Sequence, residues 1–527
     1  MNTRIQVEHR VSELCYSLKF ANPDDPNDFL LVDSLVEAMT LLARHGKKLP
    51  KPERVPRERA SVEARLNATN AALKPHAGGV IEHWSSPIEN EIRDDQGISA
   101  RNPDTGQFIK YHLAGAYDSN IALLLTVGEN RQHSYEEMAE LLRRTRMSGE
   151  SLATNLQFHY GLVHWFLAEN VHAKSTTKFV MPYLTLVGQV KQAVADFDLE
   201  YAFNHVKAIY KRQIAEAHGT GDSLQPAMQA MEAAMERKHT LLLRAMEILV
   251  EDPHVFAGWL SYNKASVQIN EGKVHWTRNP MAVLADTYHY LNMDYRADLP
   301  AAECVWKQDE EVLQKALKFY AELEDKLGES SWPKLNELLT QDQAQGGLDQ
   351  ATWDQIQAAH LGFQAGMEVL GCLPKLAWEA GFYQLKVNED LTIHIPEHLH
   401  DEELQARMMK VLVPPPATRA DEIVAATGGM FYGREAPGTP PFLEEGDHVE
   451  AGQPIYIIEV MKMFNKVVAP FACTIDKILL DNIDGTIVKQ GQPLFKVTPD
   501  EKIEEVDPAQ VARQRRQRTD ALLEGLL

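Results

Sequence analysis

The chain has 527 residues, room for about three or four domains, and its 44% hydrophobic and 24% charged content excludes wholesale disorder. A net charge of -22 excludes a role built on neutralising a phosphate backbone, so no nucleic-acid partner is expected. Four scattered cysteines (Cys15, Cys304, Cys372, Cys473) argue against a disulfide framework and a thiolate zinc site, and no apolar signal core or membrane-length run is present; a reducing, cytoplasmic home without a membrane is expected.

Residues 2 to 8 alternate along most of their length. In a strand, Asn2, Arg4, Gln6 and Glu8 share one face while Ile5 and Val7 point to the other, a pattern that a surface strand would also give. Downstream come "VEARLNA" (Val62 to Ala68), "AYDSNIALLL" (Ala116 to Leu125), "GENR" (Gly128 to Arg131) and "ATNLQF" (Ala153 to Phe158). Together with the opening "MNTRIQVEH", these strings resemble biotin carboxylase, the ATP-grasp enzyme that carboxylates biotin, in order and rough spacing. The resemblance covers residues 1 to about 170 and implies that residues 1–172 are the C-terminal portion of that enzyme.

It also implies roles. Arg4 would hold bicarbonate, with Gln6 and the backbone of Val7; a guanidinium fork suits a planar oxyanion. Glu8 matches the general base that takes the bicarbonate proton before attack on the γ-phosphate of ATP, and Asn2 lies on the same active-site face. Arg93, in "EIRDDQGIS", falls where the family places the arginine that stabilises the biotin enolate; its ordinary reading is a surface arginine paired with Asp94 or Asp95. Two positions depart from the family: Arg10 replaces a common proline, and Leu123 stands where lysine is frequent. The family's ATP-binding portion precedes this signature, and Met1 aligns with an internal methionine. The chain is therefore expected to be part of a longer carboxylase. By itself it should retain no metal site and carry out no ATP-dependent biotin carboxylation.

Residues 173–412 read as mostly helical. Apolar residues recur at three and four spacing over Leu199–Ala217 and Pro226–Glu251, and further helices fit Asp309–Leu327, Trp332–Leu339 and Thr352–Gly371. Only the segment near 382–395 reads as strands, "FYQLKV" and "LTIHI" about an Asn388-Glu389-Asp390 turn. In acyl-CoA carboxylases that this chain resembles, a tethering domain lies at this position, and a tethering or interaction role is implied here. His394, His398 and His400 beside Glu397, Glu402 and Glu403 are expected to be a solvated cluster rather than a metal site. Residues 413–421, with Pro414, Pro415 and Pro416, predict a stiff polyproline-type linker.

From 422 to 498 the chain repeats itself. "GDHVEAGQPIY" begins at Gly446 and "GTIVKQGQPLF" at Gly485, 39 positions later, each alternating apolar and polar residues. Two small β units packed face to face are expected, with Val449, Ile455 and Ile457 on one side answered by Val488, Leu494 and Val497 on the other. Lys462, flanked by Met461 and Met463 in "EVMKM", falls at the pseudo-dyad and at a hairpin tip. The motif with its flanking "GDHVEAGQPIYII" and "NKVVAPF" resembles the biotinyl carrier domain of biotin-dependent carboxylases, and the resemblance implies covalent biotin on Lys462. A lipoyl carrier has the same duplicated fold but usually an acidic residue where this chain has Met461. Matching Val424 with Val468 gives an offset of 44, so the first half carries about five extra residues. They fall within Arg434 to Phe442, a stretch that resembles the thumb of bacterial acetyl-CoA carboxylase carriers, although two prolines in an ordinary turn would look alike.

Residues 499–527 form a charged tail with a helical pattern from Pro508 to Leu526 and no assigned role. The fold class expected is multidomain α+β: half of an ATP-grasp biotin carboxylase, a mostly helical middle, and an all-β flattened-barrel biotinyl domain. The function implied is a part of a biotin-dependent acyl-CoA carboxylase, most like the acetyl-CoA type. Biotin would be covalent, ATP, magnesium and bicarbonate would serve the full-length enzyme, and the partners would be a biotin ligase and a carboxyltransferase subunit that brings acyl-CoA, in an oligomeric complex. Two alternatives stay open: a stand-alone carrier and assembly protein with a degenerate carboxylase remnant, and a lipoyl carrier.

Overall fold

The computed structural model describes residues 9–526 except 26, 77–78, 85–91, 94–100, 114–119, 236–237, 294–304, 415–420, 461–462, 481, 501–507 and 525. The chain divides into two compact units, one of residues 1–172 with 415–503, the other of 173–414 with 504–527.

In the first unit, a short antiparallel sheet places Tyr16–Ala21 between Phe29–Val32 and Glu53–Pro56, with the helix Leu35–His45 closing a small core of Leu18, Phe20, Val32 and Ala38. A second sheet is centred on Asn120–Gly128, which pairs with Ala60–Asn67 on one edge and Ile92–Arg93 on the other. The run Ile121 to Leu125 is its spine, buried between its two neighbouring strands and under the helix Arg131–Arg144. The motif strings have structural tasks here. Asn130 of "GENR" caps the helix Arg131–Arg144 by accepting from the His133 amide. Asn155 of "ATNLQF" accepts from the Asn67 amide at 2.8 Å and donates to the Arg65 carbonyl at 3.1 Å, binding the start of the helix Leu156–Glu169 to the edge strand.

The same unit contains two four-stranded antiparallel sheets. In one, Glu422–Val424, Pro493–Pro499, Cys473–Ile478 and His448–Val449 are neighbours in that order; in the other, Met463–Val468, Pro454–Val460, Gly429–Tyr432 and Asp484–Val488. Their facing sides share a core that includes Ile423, Phe431, Val449, Tyr456, Ile458, Val460, Ile475, Val488, Leu494 and Val497. The duplication expected from the sequence is present, but the two halves do not form one layer each. Every sheet takes strands from both halves, which is how each half covers apolar residues it could not bury alone. Ile455 lies in that core as expected and Ile457 is also buried, but the strand, with a bulge between Pro454 and Tyr456, places Tyr456, Ile458 and Val460 in the core as well. A strand buried on both sides loses the alternation that reads out its faces.

In the second unit, helices dominate, as expected. Leu199–His218, Leu224–Met235, Lys238–Glu251, Val305–Leu327 and Trp332–Leu338 match the periodic segments, with Pro226–Glu251 described as two helices about residues 236–237. The expected helix Thr352–Gly371 is longer, Gln350–Glu379, and continues through Gly371 and Pro374. Both are buried there, so packing outweighs the backbone hydrogen bond that proline cannot make. Strands are not confined to 382–395. A hairpin missed by the sequence reading pairs Val267–Asn270 with Lys273–Trp276 about Glu271 and Gly272, both with positive φ, 53° and 79°. The expected hairpin near 382–395 is shorter than read: Phe382–Gln384 is a 3₁₀ turn, and only Lys386–Val387 and Ile393–His394 pair. The tail also has a place. Its helix Pro508–Glu524 buries Leu522 and Leu523, Arg515 donates to the Phe197 carbonyl at 2.8 Å, and buried Lys375 donates to the Leu522 carbonyl at 2.9 Å. Among the described residues, no helix is long and apolar enough to cross a membrane.

Candidate functional site

The strand Pro454–Val460 runs antiparallel to Met463–Val468, and the last pair of the ladder is Val460 with Met463. Met461 and Lys462 are the two positions between these paired ends and lie outside the described residues. The ladder leading to them is held from the side by Tyr432. Its hydroxyl donates to Glu459 Oε2 at 2.7 Å and its ring meets that of Phe464 at 5.9 Å, so a residue on each arm of the hairpin touches the same side chain. The hydrogen bond donated to Glu459, more than burial or the like charge a phenolate would meet, raises the Tyr432 pKa above its ordinary value. Deeper in the domain, the Tyr456 hydroxyl accepts from the Ala426 amide, and burial pushes its ionisation up to about 12.

The extra residues of the first half form an exposed, hydrogen-bonded loop beside this hairpin. Arg434 bridges to Pro441 in strand fashion, its guanidinium pairs with Asp484 at 2.6 Å and donates to the Thr439 carbonyl, and Thr439 closes a turn on Ala436. Glu435, next to Arg434 where the loop begins, pairs with Lys466, four positions after Lys462, at 2.6 Å. The offset between the two repeats was the signal for this loop, while its contact with the lysine-bearing hairpin was not readable.

Asn2, Arg4, Gln6, Val7 and Glu8 lie outside the described residues. Of Arg93 the backbone is described: it pairs with Leu123 in the central sheet of its unit. Leu123 is 2% exposed, so the leucine found where a lysine is frequent is a core residue.

Biotin asks for an amine that a second enzyme can reach on a domain that stays folded meanwhile. The residues present fit that demand, since the ladder is paired up to Val460 and Met463 while Phe464, next along, is 63% exposed. No three His, Cys, Asp or Glu among the described residues are grouped to hold a metal ion.

Comparison with known proteins agrees with this geometry. Residues 422–497 match the family described as biotin-requiring enzyme. The biotin carboxyl carrier protein of acetyl-CoA carboxylase from Nostoc sp. is 38% identical over 79 residues, 15% of this chain and 42% of that protein. The mitochondrial methylcrotonoyl-CoA carboxylase subunit alpha of Glycine max is 31% identical over 161 residues, 30% of this chain and 18% of that protein. The match thus spans less than half of either relative. Among solved structures, the biotin carboxylase subunit of pyruvate carboxylase is 24% identical with a TM-score of 0.22, covering 31% of this chain and 30% of that one. Residues 422–497 belong to the biotin-requiring enzyme family, and the chain carries, at its C-terminal side, the domain it shares with biotin carboxyl carrier proteins.

Proposed function

We propose that this chain is a component of a biotin-dependent acyl-CoA carboxylase, of the acetyl-CoA type, with Lys462 as the covalent biotin acceptor. The observation that carries the reading is the duplicated β domain whose ladder closes on the pair Val460 and Met463, with Met461 and Lys462 between them in sequence. Biotin, when bound, supplies a ureido nitrogen able to carry a carboxyl group between sites. The protein's own contribution is the paired ladder that ends at Val460 and Met463, on either side of the lysine in sequence, held by Tyr432, Glu459 and Phe464.

The acetyl-CoA type is supported by the Nostoc relative and by the exposed loop from Arg434 to Phe442. Residues 1–172 are proposed to be the bicarbonate- and biotin-binding half of a biotin carboxylase, with Arg4, Gln6 and Val7 on bicarbonate, Glu8 as base, Asn2 beside them and Arg93 facing the developing negative charge. The methylcrotonoyl-CoA carboxylase relative supports the reading of the chain as a carboxylase component. ATP and magnesium would serve the complete enzyme, and a biotin ligase and a carboxyltransferase would be its partners. Co-expression with a biotin ligase followed by avidin capture and intact mass measurement tests the reading: one biotinyl group per chain supports it, and a lipoyl group in its place, or neither, refutes it.

A further inference from the structure

The helical unit holds a cavity of about 390 Å³ that has no part in the carrier reading. Three elements build most of it, the hairpin Val267–Trp276, the helix Trp332–Leu338, and the middle of the long helix Gln350–Glu379, and Thr277, Pro280 and Leu526 line it too. Its volume is in the range of small-molecule sites. The character of its walls sets the sign of what fits. Glu368 is the one carboxylate among the lining residues, and no lysine or arginine lines the cavity. The Glu368 side chain makes a single long hydrogen bond, from the Tyr210 hydroxyl at 3.4 Å, and no ion pair among the described residues. Burial pushes its ionisation up to about 7, as a carboxyl without a countercharge requires.

Two indole rings, Trp276 and Trp332, stand in the same wall, beside His275 and the neutral amides of Gln268, Asn336 and Gln364, and the Trp276 indole N–H makes no hydrogen bond among the described residues. Trp332 is buried and fixed by edge contact with Tyr320 at 5.1 Å. An acid that lacks a cation, beside aromatic faces that attract one, is the arrangement by which proteins hold ammonium and guanidinium groups. An anion would meet Glu368 with no lysine or arginine on the wall to offset it, His275 being the one basic side chain there, and a purely apolar guest would leave the carboxyl without a partner charge.

We propose that this cavity is a binding site for a small organic cation, whose charge rests on Glu368 and whose carbon framework packs against Trp276 and Trp332. The site is independent of biotin attachment.

Titration of the whole chain with choline, tetramethylammonium and methylguanidinium, followed by calorimetry and tryptophan fluorescence, tests it. Dimethylbutanol, the neutral carbon counterpart of choline, is titrated alongside. The expected result is one saturable site per chain for at least one of the cations, with choline binding about tenfold or more tighter than dimethylbutanol. Glu368→Gln should bring choline down to the level of the alcohol while leaving the alcohol's binding and the near-ultraviolet circular dichroism unchanged, which separates loss of charge from loss of fold. Trp276→Leu should weaken both guests. No saturable binding of any of the three cations up to about 10 mM, equal affinity for choline and its neutral counterpart, or choline binding indifferent to Glu368→Gln overturns the proposal.

Discussion

Tyr432 and Glu459 are joined by a 2.7 Å hydrogen bond that crosses two strands diagonally, three residues before Lys462. Because the Tyr432 ring also meets Phe464 on the returning strand, one side chain braces both arms of the hairpin. Tyr432→Phe keeps the ring and removes the bond. The expected cost is about 1 kcal/mol, read from denaturant unfolding of the protein, with biotin attachment retained. Tyr432→Ala removes both contacts and should slow attachment; equal attachment rates for the wild type, Phe and Ala variants would show that the brace has no bearing on the lysine.

Gly429 lies on the strand next to Pro454–Val460. A methyl group there would come within 2.7 Å of the Glu459 carbonyl and 2.9 Å of the Ile458 side chain. Gly429→Ala should therefore push the lysine-bearing strand off its neighbour, at a cost of about 1–3 kcal/mol. Unfolding of the domain and the yield of biotinylated protein should fall together, while Gly438→Ala, where nothing lies within 4 Å, should cost less despite its positive φ.

Asn155 binds a helix start to a strand edge through two backbone groups, the Asn67 amide and the Arg65 carbonyl. Asn155→Ala leaves both without this partner at a site where Asn155 itself is 7% exposed. About 2–3 kcal/mol is expected, measured as a shift in the urea midpoint with an unchanged slope. Asn155→Asp should recover the bond to the amide but not the one to the carbonyl, and so fall between.

His448 Nε2 contacts Asp500 at 2.7 Å, with Glu450 within 4.0 Å of the other nitrogen. The Asp500 hydrogen bond, more than the charges, raises the His448 pKa above its ordinary 6.5. The folded form thus binds its proton more tightly than the unfolded form. The stabilisation is complete below about pH 6.5 and is lost as pH rises through the folded value. Melting curves of the wild type should show this added decline above about pH 6.5, and His448→Gln should flatten it; an unchanged pH profile would mean that the pair is fully screened by solvent.

The β domain was legible because its signal is a period of two repeated at a fixed offset, and because the lysine stands between the copies. What stayed hidden follows from physics that a linear pattern does not carry. The exchange of strands between the sheets is decided by which faces need covering, and the strand Pro454–Val460 buries Ile455, Tyr456, Ile457 and Ile458 in succession, so its faces cannot be read from alternation. The hairpin Val267–Trp276 did carry a signal, alternation about Glu271-Gly272, but it is four residues a side among long helices. The helix Gln350–Glu379 runs past two residues that ordinarily end helices because its surroundings bury them. In the tail, Leu522 and Leu523 showed periodicity, yet their partners lie more than a hundred residues earlier, beyond local pattern. Arg4, Gln6 and Glu8 were read from a motif alone, and Arg93 gains from the structure a backbone partner, Leu123, rather than a role.

The central claim is that Lys462 is the attachment point of biotin. It is tested most directly by co-expressing the chain with a biotin ligase, digesting it, and mapping the modified lysine by peptide mass spectrometry, with Lys462→Arg in parallel. The account predicts one biotinyl group, on the peptide that contains Met461-Lys462-Met463, and none on the variant. Biotin on another lysine, its persistence in Lys462→Arg, or a lipoyl group in its place would contradict it.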